Sequence, residues 1–117
     1  MRYVRLYCDE SGVSHFENSE FTFTPRDFAP PAPPVDVSEA VRASAFMMLR
    51  LPAGWTDAAH PTPGRQFMMV MSGSVRVSAG GETRSFGTGD VLLAEDTSGG
   101  GHATTVVEDS LVAVVRV

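Results

Sequence analysis

His60 sits in the segment GWTDAAHPTPGRQFMMVMSG, ahead of Gln66 at the head of a strand-like run. A loop histidine and an inward-facing strand residue can converge on one point inside a β-barrel, because the loop places the first and alternation aims the second. His102 closes a second segment, LLAEDTSGGGH, which also carries Asp96. Imidazole is the side chain that ordinarily exchanges protons near neutral pH, so each histidine is a candidate acid or base. The plainer alternative is that each ties its loop to the backbone. Asp96 could set the tautomer of a histidine, or it could cap the turn that follows it. Gln66 would orient a carbonyl or hydroxyl.

Other residues of the first segment would form the walls. Trp55 can stack on a flat ligand or simply pack. Met68 and Val70 share the inward phase of Gln66 and give an apolar lining, which leaves Phe67, Met69 and Met71 facing outward. Arg65 precedes Gln66 and so points outward; a bulge or a place at the mouth would let it join the substrate pocket and clamp a carboxylate. Gly99 to Gly101 could offer backbone N–H groups to an anion, but no helix pattern follows and no lysine is available for a nucleotide loop.

These residues need strands to position them. Phe46–Leu51, Phe67–Met71, Val75–Ser78, Thr83–Phe86, Val91–Ala94, Thr104–Val107 and Leu111–Val117 are β-branched or apolar runs of strand length. Ser72-Gly73, Ala79-Gly80-Gly81, Gly87 to Asp90, Ser98 to Gly101 and Glu108-Asp109 are turn signals between them. The pattern predicts an antiparallel all-β barrel or sandwich. Met1 to Tyr7 predicts a short strand at a sheet edge, followed by a turn-rich stretch, CDESGVSHFENSEF, in which His15 fixes the N-terminal turn. Phe21, Phe23, Phe28 and the APPAPPV run predict an extended strap. Ser38 to Ala45 offers one helical turn at most.

Composition bounds the function. The chain has 117 residues, enough for one core, and a formal charge of −5 with nine arginines and no lysine. The acidic balance argues against nucleic acid or an anionic membrane surface, and the absence of lysine excludes a side-chain Schiff base. No apolar run reaches the roughly 18 residues of a membrane span and the N-terminus lacks a signal-peptide core, so a cytoplasmic protein is the expectation. Cys8 is the only cysteine, which rules out an intrachain disulfide and makes a weak nucleophile. FMML, FMMVM and LVAVV are apolar on both alternate faces, which predicts cover by the strap or by a second copy in a homodimer packed through a sheet face.

The spacing resembles the cupin superfamily. Gly54, His60, Thr62, Gln66 and Gly73 occupy the glycine, histidine, histidine, glutamate and glycine positions of its first motif; Gly89 opens the second, with Glu95 where proline would stand, a slightly longer loop before His102 and no recognisable asparagine after it. The resemblance covers residues 46–117 and implies a double-stranded β-helix, or jelly roll, with residues 1–45 packed as strap against it or a partner. It also implies that His60, Gln66 and His102 share a pocket, where the two histidines would move protons. Cupins of this kind typically hold iron, manganese, nickel or zinc with three histidines and a glutamate. Here Thr62 and Gln66 replace two of those ligands, leaving His60, Gln66 and His102 as a depleted set. The resemblance thus implies a small-molecule-binding cupin catalysing isomerisation, cyclisation or dehydration on a metabolite or natural-product intermediate. A metal-dependent, dioxygenase-like cupin and a non-catalytic binding module are the alternatives.

Overall fold

Short apolar-alternating runs separated by glycine-containing turns have little choice but to pair, and in the computed structural model, which describes residues 1–117, all regular structure is β. The strands are β1 (Arg2–Cys8), β2 (Ser14–Glu20), β3 (Phe23–Arg26), β4 (Val35–Ser38), β5 (Ala45–Leu51), β6 (Gln66–Ala79), β7 (Glu82–Gly87), β8 (Val91–Ala94) and β9 (Ala103–Arg116). The main sheet runs β2-β1-β8-β6-β9-β5, with β7 pairing the second half of β6, while β3 and β4 pair only with each other. The path is open from β2 to β5, not a ring of bonded strands. It curls into a jelly roll because β6 and β9 are long and bent.

The bend corrects two expected turns. Ser72-Gly73 and Glu108-Asp109 lie inside continuous strands, at register shifts where β6 and β9 cross. Gly73 has φ +90°, and a Cβ there would collide with Ser110 Oγ and the Asp109 carbonyl. Ser110 Oγ fills the gap in the ladder by accepting the Ser74 N–H at 3.0 Å. Glycine and serine therefore act here as a bulge, which re-aims one strand, and not as a hairpin. Beyond the bulge Val75, Val77 and Ala79 return to the same core as Val70, Phe86, Leu92 and Val106.

The N-terminal region differs most from expectation. β1 is not an edge strand: it lies between β2 and β8, pairing parallel with β8 from Val4↔Leu92 to Leu6↔Ala94. The cause is Leu6, which is fully buried in the core. Only the Asp9–Val13 loop of the turn-rich stretch is a turn, with Asp9 Oδ1 accepting the N–H groups of Ser11 and Val13. Its second half is β2, whose polar residues mask an alternation in which Ser14 and Phe16 face inward. His15 does bond Asp9, at 2.6 Å. Residues 1–20 therefore belong to the main sheet, and the boundary at residue 45 does not separate strap from barrel.

The proline-rich strap is the β3–β4 hairpin, and Ser38 ends β4 with no helix after it. Phe21 packs against Tyr3 and Phe67 on the outer sheet face, whereas Phe23 and Phe28 stay exposed. The radius of gyration, 15.5 Å, exceeds the roughly 13 Å of a compact domain this long. The hairpin stands off the body and leaves an apolar groove of about 530 Å³ against Phe67, Met69, Val91 and Val115. No helix is long and apolar enough to cross a membrane.

Candidate functional site

The two histidines meet through their backbones. The loop after β5 runs beside the first half of β9, with Gly54 N–H donating to Val106 O and Val106 N–H to Trp55 O, both at 2.8 Å. Further along, His60 and His102 exchange N–H···O bonds at 3.0 Å in each direction, and their ring centroids lie 5.6 Å apart. Gly101 allows this approach: it has φ +71°, and a Cβ on it would strike the His60 carbonyl.

The rings have opposite surroundings. The His60 side chain is 50% exposed, and both of its nitrogens face acceptors: Nε2 lies 2.7 Å from Asp57 Oδ2, and Nδ1 lies 2.9 Å from the Pro61 carbonyl. Only the doubly protonated imidazolium can donate both bonds. The Pro61 carbonyl, and then Asp57, accordingly hold its pKa above the ordinary histidine value. Asp57 is fixed in turn by accepting Thr104 N–H at 2.7 Å through its other oxygen.

His102 is buried. Its Nδ1 lies 2.7 Å from Asp96 Oδ2, and Asp96 is fully enclosed. Ser14 Oγ, arriving from β2, donates to the same carboxylate oxygen at 2.9 Å, while Asp96 Oδ1 is buried without a partner. With Nδ1–H directed at the carboxylate, the neutral ring carries its lone pair on Nε2, to which no protein group bonds. His102 lines an apolar cavity of about 40 Å³ together with Leu51, Met68, Val70, Phe86, Leu92 and Thr104.

The remaining candidates divide. Met68 and Val70 line this cavity, as alternation from Gln66 requires. Gln66 is buried nearby but is not part of the lining, and its Oε1 accepts Arg116 Nη2 at 3.0 Å. Trp55 is exposed and does not wall the cavity, because the Gly54–Asp57 loop is tied along the outside of β9. Arg65 does not reach it either: no bulge reverses its outward phase, and its Nε bonds Glu95 Oε2 at 2.6 Å. Glu95 also takes Arg5. Burial would raise the Glu95 carboxyl, but the bonds from Arg65 and Arg5 outweigh it and leave the pKa below the ordinary value.

The donor chemistry does not fit a cupin metal. No three His, Cys, Asp or Glu side chains converge. His60 has both nitrogens committed, Thr62 Oγ1 donates to the Gly64 carbonyl, and Gln66 Oε1 is occupied by a guanidinium whose positive charge would oppose a cation. His102 Nε2 alone has a free lone pair. Ser14, Asp57, Thr104 and Arg116 complete the site and lie outside the motif positions. Asp57, three residues before His60, is the one that spacing could have flagged.

No family model matches the chain, and no curated protein matches it. Among solved structures, a conserved Streptococcus pyogenes protein of unknown function aligns at TM-score 0.51 and 20% identity over 68% of each chain. The Cnp3 cupin domain of Schizosaccharomyces pombe aligns at TM-score 0.47 and 11% identity over 97% of this chain and 83% of that one. The Thermus thermophilus catabolite activator protein aligns at TM-score 0.47 and 21% identity over 61% of this chain, which spans only 38% of that protein's length. Likeness at this level concerns fold alone. The chain is a small all-β domain with a jelly-roll fold.

Proposed function

We propose that His102 is a single catalytic base in a cupin-like pocket, moving a proton on a small organic carbonyl compound. The observation that carries this reading is the buried Ser14–Asp96–His102 chain, which fixes the tautomer and leaves Nε2 unpartnered beside an apolar cavity. In the reaction, His102 Nε2 takes a proton from carbon α to the carbonyl, becoming imidazolium while the C–H electron pair moves into the enolate. Asp96 stabilises the imidazolium, and Nε2 returns the proton to the same carbon or, where a β,γ double bond extends the enolate, to the γ carbon, shifting that double bond into conjugation. One base suffices for isomerisation, which is favoured over cyclisation or dehydration on that ground. His60 has both nitrogens committed to Asp57 and Pro61 and so offers no free lone pair.

The cavity is far smaller than the roughly 300 to 1,000 Å³ of typical ligand pockets. It accepts only the apolar end of a substrate whose remainder lies at the mouth. That size also favours a second reading, a binding module that holds a ligand by such an end without turnover.

A panel of small enolisable ketones in D₂O tests both. Wild-type protein is expected to catalyse α-hydrogen exchange seen by NMR, with exchange lost in His102→Gln and retained in His60→Gln. Binding shifts without exchange would favour the binding module. Exchange that survives His102→Gln, or neither binding nor exchange for any ketone, would overturn the assignment.

A further inference from the structure

The two ends of the main sheet are unlike. β2, at one end, reads SHFENSE and presents Glu17, Asn18 and Glu20, with Arg84 bonded to Asn18. Charged and polar groups of this kind keep an edge strand from adding a neighbour. β5, at the other end, reads AFMMLRL and pairs only with β9. Phe46, Met47 and Met48 on it are 66, 36 and 49% exposed, and Arg50 is its one charge. It has neither proline nor bulge to blunt it, so its free edge offers a full set of backbone donors and acceptors on an apolar ribbon.

We propose that β5 is the joint between two copies of this chain, paired antiparallel with the β5 of the second copy about a two-fold axis at Met48. The strand is self-complementary in that register. Met48 faces Met48 of the other copy, Phe46 faces Arg50, Met47 faces Leu49 and Ala45 faces Leu51, so each guanidinium meets an aromatic ring and no like charges oppose. Competing registers are worse. An axis at Arg50 sets the two guanidinium groups against each other, and an axis at Leu49 brings Pro52, which has no N–H, opposite Phe46. Only the Met48 register uses all seven residues of the strand. It converts the least protected edge of each copy into the interior of one continuous sheet, an isologous contact of the kind expected for a closed dimer.

The test is sedimentation of the full chain across a micromolar dilution series. A species of twice the 12.5 kDa chain mass is expected. Met48→Lys places two ammonium groups across the axis and is expected to abolish the dimer with an unchanged far-UV spectrum. Met48→Cys in a Cys8→Ser background is expected to cross-link to itself on mild oxidation, whereas Thr88→Cys, on the exposed turn before β8, is not. A monomer at every concentration, a dimer that survives Met48→Lys, or a Met48→Cys protein that does not cross-link would each overturn the proposal.

Discussion

His60 and His102 share a backbone bridge and nearly the same depth in sequence resemblance, yet their chemistry differs in kind. One is a solvent-facing ring tied at both nitrogens; the other is a buried ring tied at one. The difference lies in the acids beside them. Asp57 comes from the same loop as His60 and meets its outer nitrogen, whereas Asp96 lies beneath His102 and meets its inner one. A motif position therefore fixes where a histidine stands but not which nitrogen remains available, and availability decides whether it can be a base.

Several experiments test this contrast. The largest effect is expected in a proton-transfer or ligand assay, where His102→Gln should lose roughly 100-fold or more and His60→Gln less than about tenfold. Equal losses would erase the distinction. Next is stability: Asp96→Ala strands His102 Nδ1 and Ser14 Oγ in the interior and should cost about 3 kcal/mol in urea unfolding. Asp57→Ala, whose partners reach water, should cost about 1 kcal/mol.

A smaller effect concerns pH. The folded-state pKa of His60 is raised, so its contribution to stability is fully present below the ordinary histidine value of about 6.5 and disappears as pH rises through the raised value. NMR titration of the His60 ring should show a midpoint above the ordinary value that falls in Asp57→Asn; an unmoved midpoint would deny Asp57 its part. Least of all, Arg65→Ala should alter stability by about 0.5 kcal/mol, because Arg65 is about half exposed and Glu95 keeps its bond to Arg5. It should also raise the titration midpoint of Glu95. Glu95 is the depressed case, stabilising above its ordinary pKa and losing that effect as pH falls through the lowered one.

Much of this was legible from sequence. β5, β7 and β8 follow their apolar runs closely, and β8 has the predicted bounds, because a buried strand between turn residues leaves a local signal. The bond between Asp96 and His102 was open to the reading that Asp96 sets a tautomer. What was hidden depends on contacts distant in sequence. Ser72-Gly73 has the composition of a hairpin turn, and only the crossing of β9 makes it a bulge. β2 has the composition of a loop and becomes a strand because β1 offers it a ladder. Nothing near Ser14 marks it as a partner of Asp96, and the commitment of His60 to Pro61 and Asp57 follows from a ring orientation that spacing does not encode.

The Ser14–Asp96 bond also bears on how the protein is made. Its ends are separated by 82 positions, so the N-terminal sheet edge must wait for a residue far along the chain. Contacts of such span close late and slow the folding of β proteins. An emerging chain would hold β1 and β2 as an unfinished hairpin, with Leu6 exposed and β8 still absent. The site would appear only once β8 and Asp96 have joined the N-terminal hairpin.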